Sequence, residues 1–254
     1  LLSNFYSRRI KRLLPALLFL VLFSSILICL FNPRPTVSLI TGLTSIFGIS
    51  NLYLFKESTN YFAESAKLNI FLHTWSLSLE EQFYFFFPFF IWISGYNINN
   101  LEKSKKLSYL LLIPFSISII LFVFLYSKNT SAGYFLLPTR FWEITTGSLL
   151  FLGYENRIRV FKKFSNIPIP LTLLLMVAIM FLPSRYAIFT IFGIVFLTSL
   201  FILNIKKNIF FHNIFTNKKL VYLGKISYSL YLWHWVVISL SYWTIGIYWW
   251  TIPF

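Results

Sequence analysis

Eight apolar segments determine what this chain can fold into, and they lie at about 13–31, 38–55, 79–96, 107–126, 133–153, 167–183, 186–204 and 221–243. Each approaches the roughly 20 residues that a helix needs to cross a bilayer, and their Phe, Leu and Ile residues do not alternate with polar ones as in strands. Only 11% of the residues are charged, against about 25% in an ordinary soluble domain. The sequence therefore predicts an all-α polytopic membrane protein, with the lipid bilayer as one of its partners.

The basic residues predict how the segments are oriented. The net charge of +15 comes from short clusters between apolar segments, which is typical of cytoplasmic loops rather than of a nucleic-acid surface, so no nucleic-acid partner is expected. If all eight segments crossed the membrane, a cytoplasmic cluster at Arg8–Arg12 would place the basic 97–106 loop outside. The least apolar segment, 38–55, is therefore interpreted as re-entrant or interfacial. This leaves about seven transmembrane helices and makes the basic loops cytoplasmic, namely 97–106, 154–166 and 205–220.

The most polar stretch at the edge of an apolar segment is His73-Thr-Trp-Ser-Leu-Ser-Leu-Glu-Glu-Gln-Phe-Tyr84. Ionisable groups are costly in a membrane and usually indicate a function. On a helix Glu80 shares a face with Tyr84, and a half-desolvated carboxylate there suits proton transfer. The alternative for Glu81 is a capping box, because it follows Ser78 by three residues. The predicted catalytic residues are Glu80, Glu81 and His73, and the predicted substrate-binding or structural polar residues are Trp75, Ser76 and Tyr84.

A second polar group is Arg140-Phe-Trp-Glu143, which follows Pro138. Proline is favoured in the first turn of a helix, so the pair is expected early in its helix at i, i+3 spacing. If the span begins near Gly133, Glu143 lies on the order of 15 Å inside the membrane. Charges at that depth require a partner or a watery cavity. Arg140 and Glu143 are therefore either substrate-binding residues or a helix-packing ion pair.

A third polar group is the stripe formed by Ser227, Tyr231 and His234, which recur at i, i+4 and i+7 on the last apolar helix. An intramembrane histidine typically indicates a proton or substrate path. The alternative is a buried histidine that is bonded to a tyrosine or serine. His212 is interpreted as a solvated residue of a cytoplasmic loop.

The basic cluster Arg8, Arg9 and Arg12 is either a topology signal alone or a phosphate-binding site, because arginine binds phosphate in a bidentate manner. The sequence contains no glycine-rich phosphate loop, no zinc-ligand spacing and no nucleophile elbow. No metal and no permanently bound cofactor are therefore expected.

Four stretches resemble, in order, those of the acyltransferase-3 family of bacterial membrane acyltransferases, and they are Phe5–Ala16, His73–Tyr84, Arg140–Gly147 and Ile226–Trp235. They are most similar to the branch that O-acetylates lipopolysaccharide O-antigen and related surface glycans. The resemblance implies a multi-pass enzyme of the bacterial inner (cytoplasmic) membrane. It would transfer an acyl group, commonly acetyl, from cytoplasmic acetyl-CoA as co-substrate to a hydroxyl of an extracytoplasmic or lipid-linked glycan.

The resemblance also implies residue roles. Arg8, Arg9 or Arg12 would bind the CoA phosphates, and Glu80 or Glu81 would orient or protonate at the acceptor hydroxyl. An essential histidine, which in the family lies eleven residues after an arginine in the first helices, would act as base or acyl acceptor.

The chain departs from the family pattern at its ends, because nothing before Leu1 supplies that histidine and none of His73, His212 or His234 matches it. Longer members also carry an extracytoplasmic SGNH-hydrolase-like domain. We therefore expect a single domain over 1–254 that is incomplete at the N-terminus and at the C-terminus and inactive alone. The rival interpretations are a polysaccharide or lipid-carrier transporter and an inert, degenerate paralogue.

Overall fold

The computed structural model describes residues 2–58, 69–97, 100–156, 167–205 and 209–244. In chain order the helices are α1 (Leu2–Phe31), α2 (Thr36–Ile46), α3 (Ser50–Ser58), α4 (Thr74–Ser94), α5 (Leu101–Lys128), α6 (Thr130–Phe135), α7 (Leu137–Glu155), α8 (Ile169–Met180), α9 (Ala187–Asn204), α10 (Ile209–Phe215) and α11 (Lys218–Thr244), with a 3-10 turn at Ser184–Tyr186 before α9. These ranges contain no strand, which confirms the all-α prediction.

Three of the described helical stretches are long and apolar enough to cross a membrane, and they are Ser3–Phe31, Leu101–Lys128 and Ser184–Asn204. Two shorter helices, α2 and α8, are also apolar. Large apolar side chains remain exposed on these helices, including Phe19 on α1 and Ile120 on α5. Exposed apolar faces of this extent suit a lipid environment. The chain is therefore an all-α membrane protein, while the number of crossings stays a prediction.

Helix ends differ from the apolar segments for a physical reason. α1 and α5 begin well before residues 13 and 107, because their basic amino-terminal turns are also helical. Hydropathy finds the part of a helix that suits lipid, whereas Lys and Arg are good helix formers that extend the helix beyond it. His212, expected in a loop, lies instead in α10, and it is exposed as predicted.

The capping box predicted at Ser78 is wrong, because α4 begins at Thr74 and not near residue 79. Ser78 therefore lies in the second turn of α4. Its hydroxyl instead accepts a hydrogen bond from the backbone N–H of Ser50, at 3.1 Å, at the start of α3. Ser78 therefore bonds the first residue of α3 and does not cap α4.

The 38–55 segment is broken into α2 and α3, which are separated at residues 47–49. Gly48 has a φ of +68° at the break. Its backbone carbonyl accepts a hydrogen bond of 2.9 Å from the Gln82 side chain of α4. Irregular backbone at membrane depth requires such protein partners. The break agrees with a segment that does not cross as one helix, while its position relative to the bilayer stays a prediction.

The 133–153 segment is likewise interrupted, at Leu136, between α6 and α7. Pro138 is the second residue of α7, which confirms its expected place in the first turn. Glu143 therefore lies only about 9 Å along its own helix, rather than about 15 Å from Gly133.

The structure divides into two compact units, of which the first comprises Leu1–Phe85, Tyr134–Leu137 and Gly224–Phe254. Its core joins α1, the turn before α4, and α11 through fully buried side chains, namely Leu17, Leu20, Ile70, Phe71, Leu232 and Val236. Close packing of this kind holds membrane helices together where lipid removes the hydrophobic driving force.

The second unit comprises Phe86–Gly133 and Pro138–Leu223. Leu107 and Leu111 of α5 pack on Leu152 of α7. The Trp142 ring of α7 stacks on Phe192 of α9, with centroids 4.6 Å apart. The prediction of one domain over 1–254 is not tested by this division and stays a prediction.

Candidate functional site

A cavity of about 500 Å³ lies in the first unit between α1, α4 and α11. Residues more than 200 positions apart in the sequence meet there, and most of them are polar. The lining residues are Arg9, Arg12, Leu13, Ser76, Leu77, Glu80, Tyr84, Ser227, Tyr228 and Tyr231. The structure thus brings together predicted residues from three separate sequence stretches.

Helical spacing explains what α4 contributes to this cavity. Ser76, Glu80 and Tyr84 are spaced at i, i+4 and i+8, so they share one face of the helix. The Tyr84 hydroxyl donates to the Glu80 carboxylate over 3.5 Å, which is long for a hydrogen bond. The carboxylate therefore faces the cavity with little of its hydrogen-bonding capacity used by Tyr84.

Glu81, the neighbouring carboxylate, points elsewhere. Its Oε2 lies 2.6 Å from the position that a Cβ on Gly48 would occupy, so the side chain packs against the break between α2 and α3. It does not line the cavity. The sequence left Glu80 and Glu81 as alternatives, and the structure places only Glu80 in the cavity.

The arginines of α1 supply positive charge to the same space. The Arg9 guanidinium lies over the Tyr84 ring, with Cζ 3.0 Å from the ring centroid, as in a cation–π contact. It is also close enough to Glu80 to interact electrostatically, although no contact ion pair joins the two among the described residues. Arg12 lines the cavity as well, whereas Arg8 is exposed and is not one of the lining residues.

Two tyrosines of α11 form hydrogen bonds with residues of α1 and with residues at the start of α4. The Tyr231 hydroxyl lies 2.6 Å from the Ser76 hydroxyl and donates to the backbone carbonyl of His73. The Tyr228 hydroxyl donates to the Leu13 carbonyl of α1 at 3.1 Å. Tyr228 was not predicted as a site residue, although it lies three residues before Tyr231 and thus on the same helical face.

His73 and His234 lie beside this network. The His73 ring is 5.3 Å from the Tyr231 ring and 5.6 Å from the His234 ring, measured between centroids. His73 is only 7% exposed. Neither of its ring nitrogens makes a hydrogen bond of ordinary geometry within the described part of the chain, although the Leu232 backbone is close to it. A buried polar group of this kind calls for an explanation, and a functional role is one.

The Nδ1 of His234 lies 2.5 Å from the backbone carbonyl of Tyr231, which is a short hydrogen-bond distance. That contact requires a proton on Nδ1, an assignment inferred from the hydrogen-bond geometry. The alternative predicted for His234 was a bond to a tyrosine or serine. In the structure the partner of His234 is a tyrosine, but the contact is with its backbone carbonyl and not with its hydroxyl.

Arg140 and Glu143 belong to the second unit. Arg140 Nη1 lies 2.5 Å from Glu143 Oε1, and the two side chains are 9% and 24% exposed. Arg140 also lies over the Phe122 ring, at 5.8 Å. The predicted pair is therefore present, and the pairing of its charges favours the helix-packing interpretation.

Comparison with known proteins gives the family. The family model described as an acyltransferase domain, acyltransferase-3, matches residues 1–254. "Putative O-acetyltransferase SACOL0978" of Staphylococcus aureus (strain COL) is 30% identical over 252 residues, which cover 94% of this chain and 41% of that protein. "O-acetyltransferase OatA" of Staphylococcus aureus (strain NCTC 8325 / PS 47) is 28% identical over 252 residues, which cover 93% of this chain and 41% of that protein.

No solved structure matches the chain. The chain spans about two fifths of the length of the curated relatives that it matches, since it covers 41% of each. Because the family match extends over all 254 residues, this protein belongs to the acyltransferase-3 family of acyltransferase domains.

Proposed function

We propose that this protein transfers an acyl group, most simply acetyl, from cytoplasmic acyl-CoA to a hydroxyl of an extracytoplasmic or lipid-linked glycan in the bacterial inner membrane. Family membership and relatives that are named O-acetyltransferases support acyl transfer to a hydroxyl. The observation that carries the proposal is that two guanidinium groups, one carboxylate and several hydroxyls line the same cavity.

The reaction requires few groups. The acceptor oxygen attacks the thioester carbonyl, a C–O bond forms, the C–S bond breaks, and the hydroxyl proton ends on the released thiolate. Arg9 and Arg12 would hold phosphates of the donor, since guanidinium binds phosphate through two parallel hydrogen bonds. Glu80 would accept a hydrogen bond from the acceptor hydroxyl and so orient its oxygen toward the thioester.

The proposed topology fits this assignment. With the basic start of α1 in the cytoplasm, Arg9 and Arg12 face the compartment that holds acyl-CoA. α4 would then begin toward the outer face of the membrane. About seven crossings, with a re-entrant α2–α3 segment, would place the basic loops in the cytoplasm. Donor and acceptor would approach the cavity from opposite ends of α4.

Site variants of the gene product in membrane vesicles from its host test the proposal. The assay measures transfer of radiolabelled acetyl from acetyl-CoA to the surface glycan of that host. Glu80→Gln should lower the transfer rate about 100-fold, which is at the lower end of acid–base effects. Arg9→Gln and Arg12→Gln should each raise the KM for acetyl-CoA about tenfold, the loss expected for one charge-assisted contact.

Lys11→Gln and Glu102→Gln are the matched controls, because both residues are exposed and neither lines the cavity. Both should leave rate and KM unchanged. Full activity of Glu80→Gln would remove its assigned role, and an unchanged KM in both arginine variants would remove the donor site. Vesicles that move glycan across the membrane without acetylating it would support the transporter instead.

A further inference from the structure

We propose that Trp75 and Tyr134 form a platform on which a pyranose ring of the acceptor glycan stacks. The inference rests on the proposed function, because it names the residues that would hold its acceptor. The platform lies at the first turn of α4, away from the arginines. Trp75 precedes Tyr84, on which Arg9 lies, by nine residues, which corresponds to about 13 Å along the helix axis.

The aromatic rings of the platform come from two distant parts of the sequence. The Trp75 and Tyr134 ring centroids are 4.4 Å apart, with the planes inclined by 41°. Phe135 packs edge-on against both of them, at 5.7 Å from Trp75 and 5.1 Å from Tyr134. Tyr134 is 40% exposed and Trp75 is partly exposed. The cluster therefore presents aromatic surface that a ligand can reach.

A buried polar network fixes this aromatic corner. Asn51 is fully buried, and its side-chain amide donates to the Phe135 carbonyl at 3.0 Å. Gln82 of α4 in turn donates to the Asn51 side chain at 2.8 Å. The segment that carries Tyr134 is thus bonded to the helix that carries Trp75. A surface that is already ordered loses less conformational entropy when a ligand binds.

Polar groups stand next to the aromatic surface. Ser76 follows Trp75 directly, and its hydroxyl lies 2.6 Å from that of Tyr231. Both hydroxyls also line the cavity that contains Glu80. The platform therefore lies beside the proposed reaction site.

A pyranose ring matches this combination. It has an apolar C–H face, which suits an aromatic ring, and a rim of hydroxyls, which suits Ser76 and Tyr231. Tyrosine and tryptophan present large apolar surface with a polar edge, so they serve ligands of this mixed character. A sugar stacked on Trp75 would direct a hydroxyl toward the cavity in which Glu80 lies.

The competing explanation is that Trp75 and Tyr134 only anchor the protein at the membrane surface, as interfacial aromatic residues do. Removing an anchor would affect membrane insertion and stability, and it would not change the KM for one of the two substrates alone. Kinetics with two substrates therefore separate the two roles.

The test uses host membrane vesicles with acetyl-CoA and with surface glycan from the same host, de-O-acetylated by mild alkali. Trp75→Ala and Tyr134→Leu should each raise the KM for the glycan about tenfold and leave the KM for acetyl-CoA within about twofold. Trp75→Phe should recover part of the loss, since a ring is restored. Trp92→Ala is the control, because Trp92 lies on α4 and is 73% exposed.

Each outcome decides between the roles. An unchanged KM for the glycan in both Trp75→Ala and Tyr134→Leu overturns the platform, even if the wild-type protein acetylates the glycan. An equal rise in the KM for the glycan and in the KM for acetyl-CoA also overturns the platform and supports the anchoring role. A rise of the same size in the KM for the glycan in Trp92→Ala has the same meaning. Tyr134→Leu keeps the test decisive if Trp75→Ala fails to insert. Absence of acetyl transfer by the wild type would instead contradict the proposed function.

Discussion

Gly48→Ala should destabilise the protein, because this residue combines a positive φ with a close neighbour. Its φ of +68° lies in the left-handed region, which costs an L-residue about 1–2 kcal/mol. The added Cβ would also meet Glu81 Oε2 at 2.6 Å and Glu81 Cβ at 3.3 Å. The carboxylate can swing aside, so the steric part is smaller than the backbone part. We expect a total of about 2–3 kcal/mol, or a fall in Tm of about 4–12 °C.

The assay is thermal unfolding of the detergent-purified protein, with Gly147→Ala as the control. Gly147 lies inside α7, and apart from its chain neighbours and the backbone of its own helix no atom comes within 4 Å of the position of its added Cβ. Removing a glycine from a helix interior should stabilise by about 0.5–1 kcal/mol. The two Gly→Ala changes should therefore have opposite signs.

A double variant separates the two causes at Gly48. Glu81→Ala removes the neighbouring carboxylate but leaves the backbone strain, so Gly48→Ala should still cost at least about 1 kcal/mol in that background. An equal or higher Tm for Gly48→Ala than for the wild type would refute the assigned backbone conformation. Complete rescue by Glu81→Ala would refute the reasoning that φ supplies the larger part.

Two further predictions concern the second unit. Arg140→Met should destabilise by about 3–5 kcal/mol, because it leaves the Glu143 carboxylate unpaired, and changing both residues to Met should recover more than half of the loss in the same unfolding assay. Tyr96, in the turn after α4, donates to Glu155 at 2.9 Å. Tyr96→Phe removes this hydrogen bond and should lower the free energy of unfolding by about 1 kcal/mol in the same assay.

The sequence predicted the helices, because apolar runs of membrane-spanning length have few other solutions. It predicted that 38–55 does not cross as an ordinary helix, but it located neither the break at Gly48 nor the one at Leu136. Both lie within apolar stretches, and contacts from distant residues satisfy at least the first of them, through Gln82. Local helix propensity cannot predict these breaks, because the residues that bond to the backbone there are distant in the sequence.

The structure brings some of the predicted site residues together, while their roles stay predictions. Arg9, Arg12 and Glu80, which were predicted as site residues in two separate stretches, meet in one cavity. The choice between Glu80 and Glu81 depends on the rotation of α4, which follows from a helix start at Thr74 and from packing against Gly48. No pattern within the motif determines that rotation.

The alternation of polar residues along α4 explains why this stretch is so constrained. A two-residue period would suit a strand, yet on a helix it places successive polar residues about 200° apart, on opposite faces. Ser76 and Tyr84 face the cavity, whereas Ser78 and Gln82 bond the break between α2 and α3. One face would act on substrate while the other holds the helix in place.

Substitutions on the two faces should therefore have separable effects. Ser78→Ala leaves the fully buried Ser50 N–H without its acceptor, which should cost about 1–3 kcal/mol and lower Tm. Ser76 is partly exposed at the cavity wall. Ser76→Ala removes its contact with the Tyr231 hydroxyl and a long hydrogen bond, of 3.4 Å, to the His73 carbonyl, so it should reduce acetyl transfer with little change in Tm. Loss of stability in Ser76→Ala, or loss of transfer without loss of stability in Ser78→Ala, would show that the two faces do not divide these tasks.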